Sequence, residues 1–319
     1  MTMNGVAGGV RLEAAVTTFL TVADTVFKNG GLTPLGGLIS ERRPCNGTAF
    51  EVDALGPVPA VQQIVGDRRW ANLRAYVNHV AVKKYGPDGL SFRIIDIEND
   101  PTGMVAQKLS DYLSGYGDYL ERPLWDFIFG NPTCLDQVAL FSGSHPFGAL
   151  GATWSNTTSS ALDPSTFFTG VSAMAALVYE NSEPAGYYPD TLMVGPKNEK
   201  MASDLCGSDR PFPITASGVE GYASALAVTS IPNWAAGRMK AVVNPRMIGT
   251  QDDYWYLIDT KRAGAPAIYV GDAQPMKAFA VTAPESPAMI TQSKAVFYAE
   301  AYNALMGGVP YGIYGGLVA

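Results

Sequence analysis

Leu12, Val16, Phe19, Leu20, Ala23, Val26 and Phe27 recur at helical spacing, and Gly30-Gly31 ends the run. The spacing predicts an amphipathic helix of about four turns, placed near the start of the chain as an arm that docks on something. Leu32 to Pro59 is rich in Gly, Pro and Asn, has little periodicity and reads as extended loop. Val61 to Trp70 is mixed and closes on Gly66-Asp67-Arg68-Arg69-Trp70. From Leu73 to Ile97 the pattern turns to alternation. Tyr76, Asn78, Val80 and Val82 interleave with Val77, His79 and Ala81, a turn follows at Tyr85-Gly86-Pro87-Asp88-Gly89, and Leu90, Phe92 and Ile94 interleave with Ser91 and Arg93. This predicts a long hairpin. Beyond Ile94 the phase switches, since Ile95 and Ile97 are apolar while Asp96 and Glu98 are polar, and a bulge is expected there. A two-stranded ribbon is marginal alone in water, so the hairpin needs a surface to lie on.

Asp100-Pro101 is a helix start. Met104, Val105, Leu109, Tyr112, Leu113 and Tyr116 form one face of the helix that follows, and a second helix covers Leu120 to Phe129. Val138 to Phe141 reads as a short strand leading through Ser142-Gly143-Ser144-His145-Pro146 and a polar loop to Asp163-Pro164, which opens a helix to Tyr179. Thr191 to Val194 is a buried strand, followed by Gly195-Pro196 and a helix to Leu205. Ser208 to Arg238 carries no firm structure. Met239 to Val243, Tyr254 to Ile258, Ile268 to Val270 and Phe279 to Val281 read as strands. Lys294 to Leu305 fits strand or helix. The tail, Gly307 to Ala319, alternates Gly with aromatic and aliphatic residues as a last strand packed closely against a neighbour would.

Composition sharpens this picture. Only 16% of the 319 residues are charged, against about 25% in an average soluble domain, so much of the surface is expected to be hidden against other chains. The net charge of −7 argues against tight coating of nucleic acid. No apolar run is long enough to cross a bilayer, and Met1 to Arg11 lacks the basic and apolar blocks of a leader. Cys45, Cys134 and Cys206 are odd in number and widely spaced, which fits a reducing compartment and neither a disulfide framework nor a zinc site.

Candidate chemistry is thin. Ser144 and His145 have the types of a nucleophile and its base, but adjacent residues on extended chain point to opposite faces. The carboxylate groups at Asp252-Asp253 and at Asp96, Glu98 and Asp100 sit at element ends, where capping explains them. The strand-turn-helix around Gly195-Pro196 lacks the glycine spacing of a phosphate loop. Arg42-Arg43, Arg68-Arg69, Lys83-Lys84 and Lys261-Arg262 are too small and scattered for a nucleic-acid footprint. The residues therefore give an α+β chain with an N-terminal arm and a long hairpin, and no catalytic, cofactor or metal residue. That combination favours a self-assembling structural protein.

The order of certain segments resembles the Mu-like major head subunit family, the major capsid proteins of certain tailed phages. Asp96-Ile97-Glu98-Asn99-Asp100 with Gly103 is similar to that family's acidic run before its first long helix. Phe141-Ser142-Gly143-Ser144-His145-Pro146 followed by Trp154-Ser155-Asn156 resembles its central motif. Leu192-Met193-Val194-Gly195-Pro196 with Glu199 and Ala202 resembles its strand-and-helix segment, although Gly195 stands where the family usually has another residue. Trp255-Tyr256-Leu257-Ile258-Asp259 is similar to its late strand. The resemblance spans roughly Val61 to Ala319.

It implies the Hong-Kong-97-type capsid fold: an N-terminal arm over 1–45, an E-loop region over 46–99 that lies on a neighbouring subunit, a P-domain with spine helix over 100–183, an axial A-domain over 184–283, and a return to the P-domain over 284–319. The implied function is a major capsid protein assembling into pentamers and hexamers of an icosahedral head, in the virion after assembly in the host cytoplasm. Implied partners are further copies of the chain, a separate scaffold, a portal and decoration proteins, with packaged double-stranded DNA faced but not specifically bound, and no membrane. Arg68, Arg69, Trp70, Lys83, Lys84 and Arg93 are the expected inter-subunit contacts. Two alternatives stay open, an encapsulin-like protein shell and, in a different class, a monomeric hydrolase using His145.

Overall fold

The computed structural model describes residues 4–55, 75–147, 152–179, 183–207, 235–261 and 266–318. The chain opens with helix α1 (Asn4–Val26), which a short 3-10 turn and the left-handed Gly30 close. Helix α2 (Pro34–Gly37) is capped by the Thr33 side chain, and strands β1 (Ser40–Pro44), β2 (Ala49–Leu55), β3 (Ala75–Ala81), β4 (Lys83–Tyr85) and β5 (Leu90–Arg93) follow. Then come α3 (Ile94–Glu98), α4 (Met104–Ser114), α5 (Glu121–Phe129), the two-residue strands β6 (His145–Pro146), β7 (Thr153–Trp154) and β8 (Thr157–Thr158), and α6 (Pro164–Ala175). The second half holds β9 (Thr191–Val194), α7 (Glu199–Cys206), β10 (Lys240–Val243), β11 (Trp255–Ile258), β12 (Ile268–Val281), α8 (Pro287–Gln292), β13 (Lys294–Gly307) and β14 (Ile313–Gly316).

Two five-stranded sheets organise these elements. The first has the order β1-β12-β13-β4, with β5 also on β13. The second has the order β10-β9-β11-β14-β8. One face of the first sheet takes α1, α3 and α4. Phe19, Ala15, Ala23, Leu109, Leu113, Ile97, Phe297 and Ala299 form a single buried cluster there. The second sheet is buried against α6 and α7 through Phe167, Val171, Met174, Leu192, Val194, Leu205, Trp255 and Leu257. A further cluster, with Trp125, Leu124, Ile128, Tyr256, Ile268 and Ile313, joins α5 to strands of both sheets.

Several expectations are corrected. The strand alternation at 75–93 is real, but its pairing is not a hairpin. Strand β3 pairs with β2, from Ala49 opposite Ala81 to Leu55 opposite Ala75, while β4 and β5 both pair with β13. Alternation identifies strands and faces but says nothing of partners. The stretch expected to be loop at 32–59 thus contributes a short helix and two strands. The phase switch after Arg93 is helix α3, not a bulge. Ile94 and Ile97 lie three apart, so a helix puts them on one side, and Ile97 is buried. Val138 to Phe141 forms no strand beyond an isolated bridge from Ala139 to Thr133. The short strands expected at 268–270 and 279–281 are the ends of one strand, β12, interrupted by Pro275 and two register shifts between Asp272 and Lys277. Each shift inserts an unpaired residue, and this hides the alternation from a sequence reading. Lys294 to Leu305 is strand, not helix, and the tail strand β14 pairs with β11 and β8.

The β2–β3 ribbon rests on its own chain at its base. Phe50 and Val52 pack with Leu135, Tyr269, Ala304 and Met306. The Phe50 ring lies where a Cβ on Gly271 would stand, so only glycine lets the ribbon seat this closely.

Helix α4 starts on a carboxylate. Asp100 accepts hydrogen bonds from the backbone N–H of Val105 and of Thr102 and from the Thr102 hydroxyl, at 2.8, 3.1 and 3.0 Å. The bond from Val105, with smaller help from Thr102, holds its pKa down at about 2 against an ordinary 3.8. A depressed carboxylate contributes stability that is complete above its unfolded value and disappears as pH falls through its folded value. Acidification from pH 4 to pH 2 is therefore expected to loosen the start of α4. Asp100→Ala should remove that part of the acid response, read as helical circular dichroism against pH.

Candidate assembly surfaces and the crossing segment

Residues 131–147 and 152–158 lie between α5 and α6, and beyond the two-residue pairings of β6 with β7 and of β8 with β14 side chains hold them in place. Asn131 and Gln137 adopt left-handed backbone conformations that bend the chain. Asn131 donates through Nδ2 to the Phe141 carbonyl at 3.1 Å and accepts from the Phe141 N–H at 2.8 Å. Asn156 is fully buried. It accepts from the Ser142 N–H at 2.9 Å and donates to the carbonyl of Leu140 at 2.6 Å. Its backbone carbonyl accepts from Gly315 of β14 at 2.8 Å.

His145 is 0% exposed. Its Nδ1 lies 2.7 Å from Asp136 Oδ2 and its Nε2 3.2 Å from the Leu140 carbonyl. The neighbouring Ser144 is exposed, and its hydroxyl lies 3.3 Å from that of Ser142. The two residues of the hydrolase reading point apart, and the imidazole has no face open to a substrate. The Ser-Gly-Ser-His-Pro motif is a structural suture.

The residues expected at subunit contacts fall into three groups. Arg68, Arg69 and Trp70 lie outside the described residues. Lys84 is paired with Glu300 of its own chain and sits over the Tyr302 ring. Arg93 pairs with Asp96 one helical turn on at 3.4 Å, with both side chains more than half exposed, a contact worth little in water. Lys83 is exposed on β4 opposite Asn303.

Sequence reasoning missed a second polar cluster. Arg42 of β1 grips Asp272 with two bonds of 2.7 Å and donates to the Gly30 carbonyl at 2.8 Å. Asn303, fully buried, donates to the same carboxylate at 2.7 Å. The cluster sits where β12 leaves register with β13. Arg42 had a signal in the Arg42-Arg43 pair, but its partner lies 230 positions away.

Large apolar side chains face solvent at one end of the first sheet. Ile95 of α3 is 59% exposed and Ile290 of α8 is 69% exposed. A backbone bond from Ile94 to Ser293 ties these two helices together. Gly195, the departure from the family pattern, fits its place: a Cβ there would stand 2.5 Å from the Met247 carbonyl oxygen.

Tyr256 is 1% exposed, stacked on Phe141, and its hydroxyl finds no hydrogen-bond partner among the described residues. Burial drives its pKa upward. An unsatisfied buried hydroxyl costs stability, so Tyr256→Phe is expected to stabilise the chain by about 1 kcal/mol. A urea midpoint that stays level or falls would show that the hydroxyl is in use.

Among the described residues no group of three or more His, Cys, Asp and Glu is arranged to hold a metal ion. No helix among them is long and apolar enough to cross a membrane.

Comparison with known proteins converges on one kind of protein. A search of curated proteins by sequence found no match. The fold is that of phage capsid subunits. It is similar to a subunit of the bacteriophage JBD30 procapsid (TM-score 0.54, 12% identity, 95% of this chain and 74% of that one). It is also similar to the bacteriophage JBD30 capsid (0.52, 10%, 88% and 64%) and to a chain of Microbacterium phage Oxtober96 (0.51, 11%, 88% and 89%). The chain thus spans a little under two thirds of the JBD30 capsid subunit it matches. The family model for phage capsid protein matches residues 76–308, well over half of the sequence. The chain belongs to the phage capsid protein family.

Proposed function

We infer that this chain is the major capsid protein of a tailed bacteriophage, of the Mu-like major head subunit type. It assembles into the pentamers and hexamers of an icosahedral head around double-stranded DNA. The match of the phage capsid model across 76–308 carries this reading. The low charge content and the exposed Ile95 and Ile290 support it, because shell subunits bury apolar surface against each other. The mechanism is geometric. Subunit surfaces interlock, and charged rims steer register and encounter.

We assign the first sheet with α1, α3 and α4 to the peripheral P-domain and the second sheet with α6 and α7 to the axial A-domain. On this assignment β12 belongs with the P-domain and β14 with the A-domain, since each follows its sheet partners. The β2–β3 ribbon is the base of the E-loop. Residues 1–45 act as an arm that first packs on its own subunit. Arg68, Arg69, Trp70 and Lys83 contact neighbouring subunits, and the weak Arg93–Asp96 pair is free to exchange for a neighbour's carboxylate. The net charge of −7 lets packaged DNA lie against the shell without sticking. A scaffold, a portal and decoration proteins complete the head.

Negative-stain electron microscopy on the purified chain, expressed alone and with its neighbouring genes, tests this. Closed shells or rings of five and six are expected. A clean monomer at high concentration in both preparations would overturn the reading. Shells filled with protein and free of DNA after phage-style packaging would convert it to an encapsulin-like compartment.

A further inference from the structure

Asparagine followed by glycine is the dipeptide in which a backbone nitrogen most readily attacks the preceding side-chain amide, because glycine brings no side chain to hinder the ring and leaves the backbone free to turn. The sequence holds three such pairs, Asn4-Gly5, Asn29-Gly30 and Asn46-Gly47. The fold treats them differently. Asn4 and Gly5 lie in the first turn of α1. The Gly30 N–H donates to the Phe27 carbonyl at 3.0 Å, and the Gly30 carbonyl accepts from Arg42 at 2.8 Å. Asn46 and Gly47 are exposed, in the connection from β1 to β2. Among the described residues neither the Asn46 side chain nor the Gly47 N–H has a hydrogen-bond partner. We propose that Asn46-Gly47 is a site of spontaneous covalent modification, where the asparagine converts through a succinimide to aspartyl and isoaspartyl forms and slackens the hinge of the β2–β3 ribbon.

The reaction needs no partner but water. The Gly47 nitrogen bonds to Cγ of Asn46 and gives up its hydrogen, the bond from Cγ to the amide nitrogen breaks, and ammonia carries that hydrogen away. Water then opens the ring. Addition at Cγ gives aspartate. Addition at the backbone carbonyl carbon gives isoaspartate, whose main chain runs through Cβ and Cγ. Space for the ring is at hand, since no atom lies within 4 Å of where a Cβ on Gly47 would stand. The turn also holds on to its glycine, because a φ of +130° strains any residue with a side chain.

Two backbone bonds bracket the pair. The Cys45 N–H donates to the Asp272 carbonyl of β12 at 2.9 Å, and the Val82 N–H donates to the Thr48 carbonyl at 2.9 Å. The ring closes between them without breaking either. Isoaspartate then inserts one more carbon into the main chain between these two fixed points and puts a carboxylate where an amide stood. The added length enters where the ribbon leaves the first sheet. The Val82 bond and the first pair of the ribbon, Ala49 opposite Ala81, are the contacts it loosens.

The test ages the full-length chain, folded and in urea, at mildly alkaline pH and maps amide-to-acid conversion by peptide mass spectrometry. The rates in urea give the intrinsic value for each pair. Relative to that value, folding is expected to protect Asn29 about tenfold or more better than Asn46, because ring closure at Asn29 needs a local opening first. Equal protection of the two overturns the site. The converted fraction, separated on anion exchange by its added negative charge, should exchange the Val82 amide hydrogen faster than the unconverted fraction. Asn46→Gln should remove both the conversion at that position and its effect on Val82. A converted fraction in which Val82 is as protected as before overturns the hinge role. Both measurements concern the single chain and hold whether or not it forms shells.

Discussion

Phe19→Ala is expected to destabilise the unassembled chain by about 3–5 kcal/mol, the usual cost of emptying a fully buried aromatic site. Phe19 is 0% exposed, and its ring meets Phe297 edge to face at 5.2 Å. Around it lie Ala15, Ala23, Leu109, Leu113 and Ala299, contributed by α1, α4 and β13. These side chains are themselves buried, so the cavity is lined by packed atoms and closes only at the cost of their own contacts. The size of the effect matters because it separates two views of the N-terminal segment. An arm that merely rests on the subunit would lose its contact and leave the core stable. A helix that completes the core takes the whole first sheet down with it. Guanidinium unfolding followed by tryptophan fluorescence reads the difference. A loss below about 1 kcal/mol, far short of the cost expected for a buried aromatic, would restore the loose arm.

The same helix shows where sequence reading succeeds. The spacing of Leu12, Val16, Phe19, Ala23, Val26 and Phe27 placed most of its buried face, because a helix writes its packing into its own period, although Leu20, expected on that face, is exposed and Ala15 is buried. Helix α6 was legible for the same reason, with Asp163 as its cap; α4 was legible from its period, but it starts at Met104 behind the left-handed Gly103 and not at Asp100-Pro101, with Asp100 reaching Val105 from outside the helix and Met104 exposed. The strands at 191–194 and 255–258 are short, wholly buried and flanked by turn residues, so their runs stood out. What stayed hidden is long-range. The partner of β3 comes from a stretch that looked like loop. Strand β12 carries Pro275 and two unpaired residues in its middle, so it read as two fragments with a gap. The crossing segment read as a short strand and a polar turn. Its actual role depends on Asn131, Asn156 and Asp136, each meeting backbone or side chain some 9 to 16 positions off. Nothing in the local pattern of an asparagine announces such a bond. Shell contacts are farther still from view, since they join one chain to another. The order of motifs carried the family, and the family match supports that membership independently of any single residue.

Arg42→Met is expected to lower stability by about 2–3 kcal/mol. That is somewhat less than the loss on breaking a fully buried pair, because about 30% of the Arg42 side chain and 26% of Asp272 still see water. The guanidinium binds Asp272 through two parallel bonds and closes the exit of α1 by donating to the Gly30 carbonyl. Methionine keeps much of the apolar stem and removes all three bonds. The carboxylate is then left beside the Asn303 amide, at the last paired position before β12 and β13 lose register. Arg42→Lys should recover only part of the loss, since an ammonium cannot span both carboxylate oxygens. A double-mutant cycle with Asp272→Asn isolates the pair. Non-additivity of at least about 1 kcal/mol is expected for residues in direct contact, and strict additivity would show that Arg42 acts through packing alone. Arg42 and Phe19 lie on successive parts of one N-terminal unit, the first bolting its exit to the register break and the second filling its core. If both substitutions destabilise the subunit as expected, any shell built from this chain must carry residues 11–45 as part of the folded body, and its variable contacts with neighbours must come from other surfaces.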